Sequence, residues 1–81
     1  MERDIKAIIL MLSSQAMINL GIIPDPVSKN TDVQLGKAEI FIDLLAVLKA
    51  KTKGNLSDDE QNYFDEVYEN IIAVQNKIKG D

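Results

Sequence analysis

Residues 4–20 read DIKAIILMLSSQAMINL, and the spacing of the apolar side chains in this stretch decides the fold. On a helix of about 3.6 residues per turn, Ile5, Ile9, Leu12, Ala16 and Leu20 fall along one line, and Ala7, Met11, Ser14 and Ile18 fall roughly opposite. Leu10 and Met17 widen the second line. Only thin polar seams separate the two: Lys6 and Ser13 on one side, Gln15 and Asn19 on the other, with Ile8 interrupting the latter. A helix that is apolar nearly all round is normally buried, in a large core, in a membrane or between subunits.

A chain of 81 residues has no large core. A domain of this size buries only about 60 to 65% of the surface its unfolded chain exposes, so a single domain over residues 1–81 with a thin core is expected. The membrane alternative fails on length. The longest uninterrupted apolar run is Ala7 to Leu12, and a spanning helix needs about 20 predominantly apolar residues. A secretory leader is not expected either, because Met1 to Lys6 carries as many acidic as basic residues and the apolar stretch is soon broken by Ser13, Ser14 and Gln15. An interfacial helix would need a polar face rich in lysine and arginine, and this one has Arg3 and Lys6 beside Glu2 and Asp4. The remaining expectation is that another polypeptide covers the second line.

Composition narrows the chemistry. The chain has no cysteine and no histidine, which removes disulfides, thiolate nucleophiles, zinc sites of the usual kind and imidazole acid–base catalysis. A cytoplasmic location is the default expectation. The net charge of −4 repels phosphate backbones, so nucleic acid is not expected as a partner. Four aromatic residues, Phe41, Tyr63, Phe64 and Tyr68, are too few for a base-stacking platform.

Gly21 can take the left-handed conformation that ends a helix, and Ile22 beyond it can fold back onto the last turn. A linker over residues 22–31 follows, in which Pro24 and Pro26 fix φ and remove two backbone donors. The chain through Asp25 is therefore expected to be extended and stiff, with Ile22, Ile23 and Val27 lying against the bundle edge. A second helix is expected over residues 33–53, capped near Asp32 or Asn30 and closed by Gly54 after Lys49, Lys51 and Lys53. Val33, Ile40, Phe41, Leu44, Leu45, Val47 and Leu48 cover over half its circumference, leaving Glu39, Asp43, Gly36 and Ala50 as its wet strip. It reads as the central helix, with apolar surface to spare.

The third helix, over residues 58–79, opens on a capping box: Ser57 can accept from the third following N–H, and Glu60 can reach back to the N–H of Ser57. Phe64, Val67, Ile71, Val74 and Ile78 form its packing seam, with Asn62, Asp65, Glu66, Glu69 and Asn76 opposite. Acidic residues crowd its start, and Lys77 and Lys79 its end, which complements the helix dipole without any ligand. The short connection Gly54-Asn55-Leu56 makes the second and third helices antiparallel neighbours.

Motifs for chemistry fail on inspection. Lys51-Thr52 is no phosphate-binding loop, because the required glycines are replaced by Leu45 and Ala50 and no strand precedes it. The carboxylate pairs Glu39/Asp43 and Asp65/Glu69 could hold a divalent ion only without the histidine that dinuclear bundle sites use. Ser13 and Ser14 have no base to activate them.

The strings Leu20-Gly21-Ile22-Ile23-Pro24-Asp25-Pro26 and Lys51-Thr52-Lys53-Gly54-Asn55-Leu56-Ser57, with Leu44, Leu45 and Leu48 between them, resemble the bacterial domain-of-unknown-function family numbered 1844. The resemblance runs from about Ile5 into the third helix and is looser beyond Tyr68. It implies a small cytoplasmic helical protein and brings no activity, cofactor or catalytic residue.

The expectation is therefore an all-α, three-helix subunit, with helix one packed on an antiparallel hairpin of helices two and three. It is expected to assemble as a homodimer or higher even-numbered homo-oligomer through Ala7, Leu10, Met11, Ser14, Met17 and Ile18. No catalytic residue, cofactor or metal is expected. Two other readings stand beside it: a monomeric adaptor that takes an amphipathic helix of another protein, and a carboxylate-based metal or small-ligand binder.

Overall fold

A computed structural model describes residues 4–80. Three helices, α1 (Ile5–Asn19), α2 (Leu35–Lys51) and α3 (Asp58–Gly80), make up the described chain, with no strand among the described residues.

Each boundary has a local cause. Asp4 caps α1, its carboxylate accepting from the N–H of Lys6 at 2.8 Å. At the other end Gly21, at φ 78°, donates to the carbonyl of Ile18 at 3.1 Å, and Ile22 donates to that of Met17 at 3.0 Å. This pair of bonds satisfies two carbonyls that the helix end would leave open. At the start of α3 the Ser57 hydroxyl accepts from the N–H of Glu60 at 3.1 Å, and the Glu60 carboxylate from the N–H of Ser57 at 2.8 Å, the reciprocal bonds of a capping box.

The second helix begins at Leu35, later than Asn30 or Asp32 would place it, and ends at Lys51. Two backbone bonds hold the preceding segment outside the helix: the carbonyl of Asn30 accepts from the N–H of Asp25, and the N–H of Gln34 donates to the carbonyl of Asn19 at 2.7 Å. The segment before α2 is thus tied across the end of α1. Gln34 occupies the cap position with no side-chain bond. At the far end, the N–H and hydroxyl of Thr52 both donate to the carbonyl of Leu48, at 2.9 and 2.8 Å.

The linker's apolar residues lie against the bundle only in part. Val27 is 90% exposed and Ile22 53%, against the expectation that they seal an edge, whereas Ile23, 40% exposed, lines the groove between α1 and α3 with Met17 and Tyr63. Around Asp25 the loop closes on itself. The Asp25 carboxylate accepts from the N–H groups of Val27 and Ser28, Lys29 donates to the carbonyl of Asp25 at 2.8 Å, and Asp25 donates to that of Asn30 at 2.8 Å. The two backbone donors hold the Asp25 carboxyl below the usual carboxylate range.

The core is built from Ile9, Ala16 and Leu20 of the first helix and its C-cap, Ala38, Ile42 and Leu45 of α2, and Phe64 and Ile71 of α3. Ile5 and Leu12 pack against it, so the first line read on α1 faces inward. Three polar residues are buried as well. Ser13 and Asn19, placed in wet seams by the sequence reading, are 7% and 9% exposed, and Gln75 is 9% exposed. Their burial is tolerable because the groups are bonded: the Ser13 hydroxyl donates to the carbonyl of Leu10 at 3.0 Å and the Asn19 amide to that of Gln15 at 2.9 Å. No buried side-chain nitrogen or oxygen lacks a partner among the described residues.

Helix directions follow from the pairs that join them. Asn19 meets Gln34, so α1 and α2 are antiparallel; Lys49 pairs with Asp65 and Lys79 with Glu39 at 3.0 Å, so α2 and α3 are antiparallel. Lys6 pairs with Asp59, which sets α1 parallel to α3. The central helix is α1, not α2. It packs on both others, most extensively on α2, and α2 and α3 touch each other least. Ala16 on α1 and Ala38 on α2 are both fully buried in the shared core, while Lys49 and Ala50 of α2 border the concavity toward α3. The result is a thin slab of 35 × 31 × 17 Å with a radius of gyration of 13.1 Å, against about 12 Å for a compact chain of this length.

Candidate functional site

The surface left uncovered by this packing is one-sided. Among the described residues every exposed large apolar side chain lies on α1, α2 or the segment between them, and none lies on α3. The third helix turns Asn62, Glu66, Glu69, Asn76 and Lys77 to solvent, so its seam is fully used.

The six residues expected to form a contact fall in three places. Ala7 and Met11 line a shallow depression with Ile5 and Ile8; Met11 is 60% exposed and Ile8 43%. Leu10, Ser14 and Met17 form one wall of a groove of about 230 Å³ between α1 and α3, with Tyr63 and Val67 opposite. Leu10 is 56% exposed, whereas Met17 is half-buried and packs on the core, so that residue is shared between the two faces. Ile18 is also half-buried, beside a small polar cavity that Asp25, Asn30 and Asp32 border.

A second apolar line, on α2, was not placed by the sequence reading. Ile40, Leu44 and Val47 are 59%, 46% and 55% exposed, on the side of α2 away from Ala38, Ile42 and Leu45. Its signal was the spacing of four and then three residues, hidden within a helix that is apolar over most of its circumference.

A concavity of about 570 Å³ lies between α2 and α3, the pair that packs least, with Ala46, Ala50 and Lys53 on one side and Gln61, Asp65 and Tyr68 on the other. Lys49 spans it, paired with Asp65 and lying 5.5 Å from the Phe64 ring centroid and 6.0 Å from that of Tyr68. Gln61 also donates to Asp65, at 2.9 Å. The Lys49 ammonium first, then the Gln61 amide, holds the Asp65 carboxyl below the usual carboxylate range. A carboxylate whose pKa is lowered by folding stabilises the fold above its unfolded pKa, and that contribution is lost as pH falls through the folded value. Thermal stability is therefore expected to decline as pH falls below about 4, and Asp65→Asn to weaken that dependence. Melting temperatures of both proteins between about pH 2 and 6 check this, and parallel curves would refute the assignment.

The carboxylate pairs considered as ion ligands are already engaged in part. Asp65 is taken by Lys49 and Glu39 by Lys79. Among the described residues no group of three or more His, Cys, Asp or Glu side chains is placed to hold a metal ion. The hydroxyl of Ser13 is bonded to its own helix. No helix among the described residues is long and apolar enough to cross a membrane.

No curated protein and no solved structure matches the chain. The family described as Domain of unknown function (DUF1844) matches residues 2–71, from before α1 to the middle of α3 and across both strings singled out above, and the chain belongs to that family.

Proposed function

We propose that this chain is a self-associating structural or interaction module with no catalytic chemistry of its own, and that the outer face of α1 forms the contact. The observation that carries the reading is the exposure of Ile8, Leu10 and Met11 on the central helix of a thin slab whose third helix is apolar on its packing side only. A two-fold axis would bring Ala7, Leu10, Met11, Ser14, Met17 and Ile18 of one subunit onto the same surface of another.

Magnitudes set how strong this contact is. Each of the three exposed side chains is about half covered already, so covering them on both subunits contributes roughly 5 to 9 kcal/mol at about 1.5 to 3 kcal/mol for full burial of each. Association costs about 4 to 15 kcal/mol. At the favourable ends of both ranges about 5 kcal/mol remains, so the α1 face alone supports a weak, concentration-dependent contact, sub-millimolar at its strongest. The groove beside it, with Leu10 and Met17 facing Tyr63 and Val67, favours one second reading, an adaptor that seats an amphipathic helix of another protein.

Met11→Asp tests the first reading. Met11 is exposed in the subunit, so the variant is expected to keep its helical circular dichroism while association weakens by about a hundredfold or more, as two charges enter one apolar contact. Sedimentation equilibrium reads the outcome, and an association constant unchanged from wild type would exclude this face.

A further inference from the structure

Along the outer side of α2, Gly36, Ile40 and Leu44 stand one turn apart, with Val47 beyond, and all four are exposed. We propose that this line is a second self-contact, in which α2 pairs antiparallel with α2 of another copy about a two-fold axis at Ile40. The proposal uses none of the residues of the α1 face and stands independently of it.

The line is its own complement when reversed. About an axis at Ile40, a residue a given number of places before it faces the residue the same number of places after it on the partner. Gly36 then faces Leu44 of the partner subunit, Leu44 faces Gly36 of the partner subunit, and the two Ile40 side chains meet at the centre. The smallest residue opposes the largest twice, each about 6 Å from the axis. A parallel pairing would set glycine against glycine and leucine against leucine, leaving a gap on one side and crowding on the other. This order of sizes is why the occupant is a second copy rather than an unrelated helix.

Gly36 supplies independent support. A glycine loosens the first turn of a helix, because any residue with a Cβ would lose less freedom on folding. Yet a Cβ on Gly36 would meet nothing within 4 Å, and its φ is not in the left-handed region. The subunit itself therefore gives no steric or conformational reason for glycine there, whereas a helix approaching over that point does. Charge does not oppose the contact: Lys37 and Lys51 flank the line together with Asp43, so the net charge of −4 is not concentrated on this face.

The test is a swap. Gly36→Leu is expected to fold at least as well as wild type by circular dichroism and melting at low concentration, since its side chain enters open space, and to weaken self-association by about ten- to hundredfold. Leu44→Ala, at a half-exposed site, is expected to weaken it as well. The double variant Gly36→Leu/Leu44→Ala reverses the order of sizes and is expected to recover most of the lost association. Sedimentation equilibrium that finds Gly36→Leu indistinguishable from wild type, or the double variant no better than the weaker single one, overturns the proposal. Loss of association in Met11→Asp with none in Gly36→Leu would retain the α1 face and reject this one, and the converse result would do the opposite.

Discussion

Phe64→Ala is expected to remove about 3 to 5 kcal/mol of folding stability. Phe64 is fully buried and is the largest of the side chains that meet in the core, where it lies among residues from all three helices. Truncation leaves a cavity that the slab can close only by moving α3, which is held to α1 by Lys6–Asp59 and to α2 by Lys49–Asp65. The variant also removes the ring over which the Lys49 ammonium lies. A chain of this length has a total stability of about 4 to 12 kcal/mol, so the loss is a large fraction of it. Urea denaturation checks the figure, and a loss below about 1 kcal/mol would mean that the core is not organised around this residue.

Gly21→Val is the second large effect, with an expected cost of roughly 2 to 5 kcal/mol from two separate causes. The first is conformational: at φ 78° a β-branched side chain is strained, and the alternative is to give up the two hydrogen bonds that close α1. The second is steric, because a Cβ here would come within 2.8 Å of the Thr31 carbonyl oxygen and 3.0 Å of Val33 Cγ2. That carbonyl belongs to the segment tied across the end of α1 by the bond from Gln34 to Asn19, so it cannot retreat freely. Both routes loosen the connection between α1 and α2, the pair with the most extensive packing. Chemical denaturation of Gly21→Ala beside Gly21→Val measures the loss. Alanine already brings the left-handed strain and the Cβ contact, so it is expected to lose much of the stability, with the branches of valine adding to the loss. Equal stability of wild type and both variants would contradict the described turn.

What could be read from the sequence was local. The stop at Gly21 and the capping box of Ser57 and Glu60 depend on residues within one turn of each other, and the structure forms both. The inward line of α1 was legible for the same reason, since 3.6-residue periodicity fixes which side chains share a face. Long-range choices were not. The central role of α1 depends on which helices approach each other, and that is decided by residues far apart in sequence, such as Ile9 and Ala16 of α1, Ala38 and Leu45 of α2 and Phe64 of α3, meeting in one core. Ser13 and Asn19 read as wet by polarity alone, but both satisfy themselves on their own helix and can then be buried. Val27 and Ile22 read as packed because the apolar residues of the linker were weighed and its capacity to bond with itself through Asp25 was not.

The candidate surface shows the same division. Leu10 and Met11 were placed on an outer line by spacing, and both are exposed, but the line is not uniform: Met17 is drawn into the core and Ser14 lines a groove against α3. The α2 line escaped notice because Ile40, Leu44 and Val47 lie in a helix with apolar residues on both sides, where only the packing partners show which side is inward. Its Gly36 was read as part of a wet strip, and the open space around it gives that residue a different meaning.

The account rests on one claim, that the subunit is an incomplete core finished by copies of itself. Sedimentation equilibrium of the wild-type chain from about 10 µM to 1 mM, the range that brackets a sub-millimolar contact, tests it most directly. The predicted result is a mass that rises with concentration from 9.0 kDa toward two or four times that value. A mass of 9.0 kDa across the whole range, with Met11 and Ile40 still in water, would contradict it.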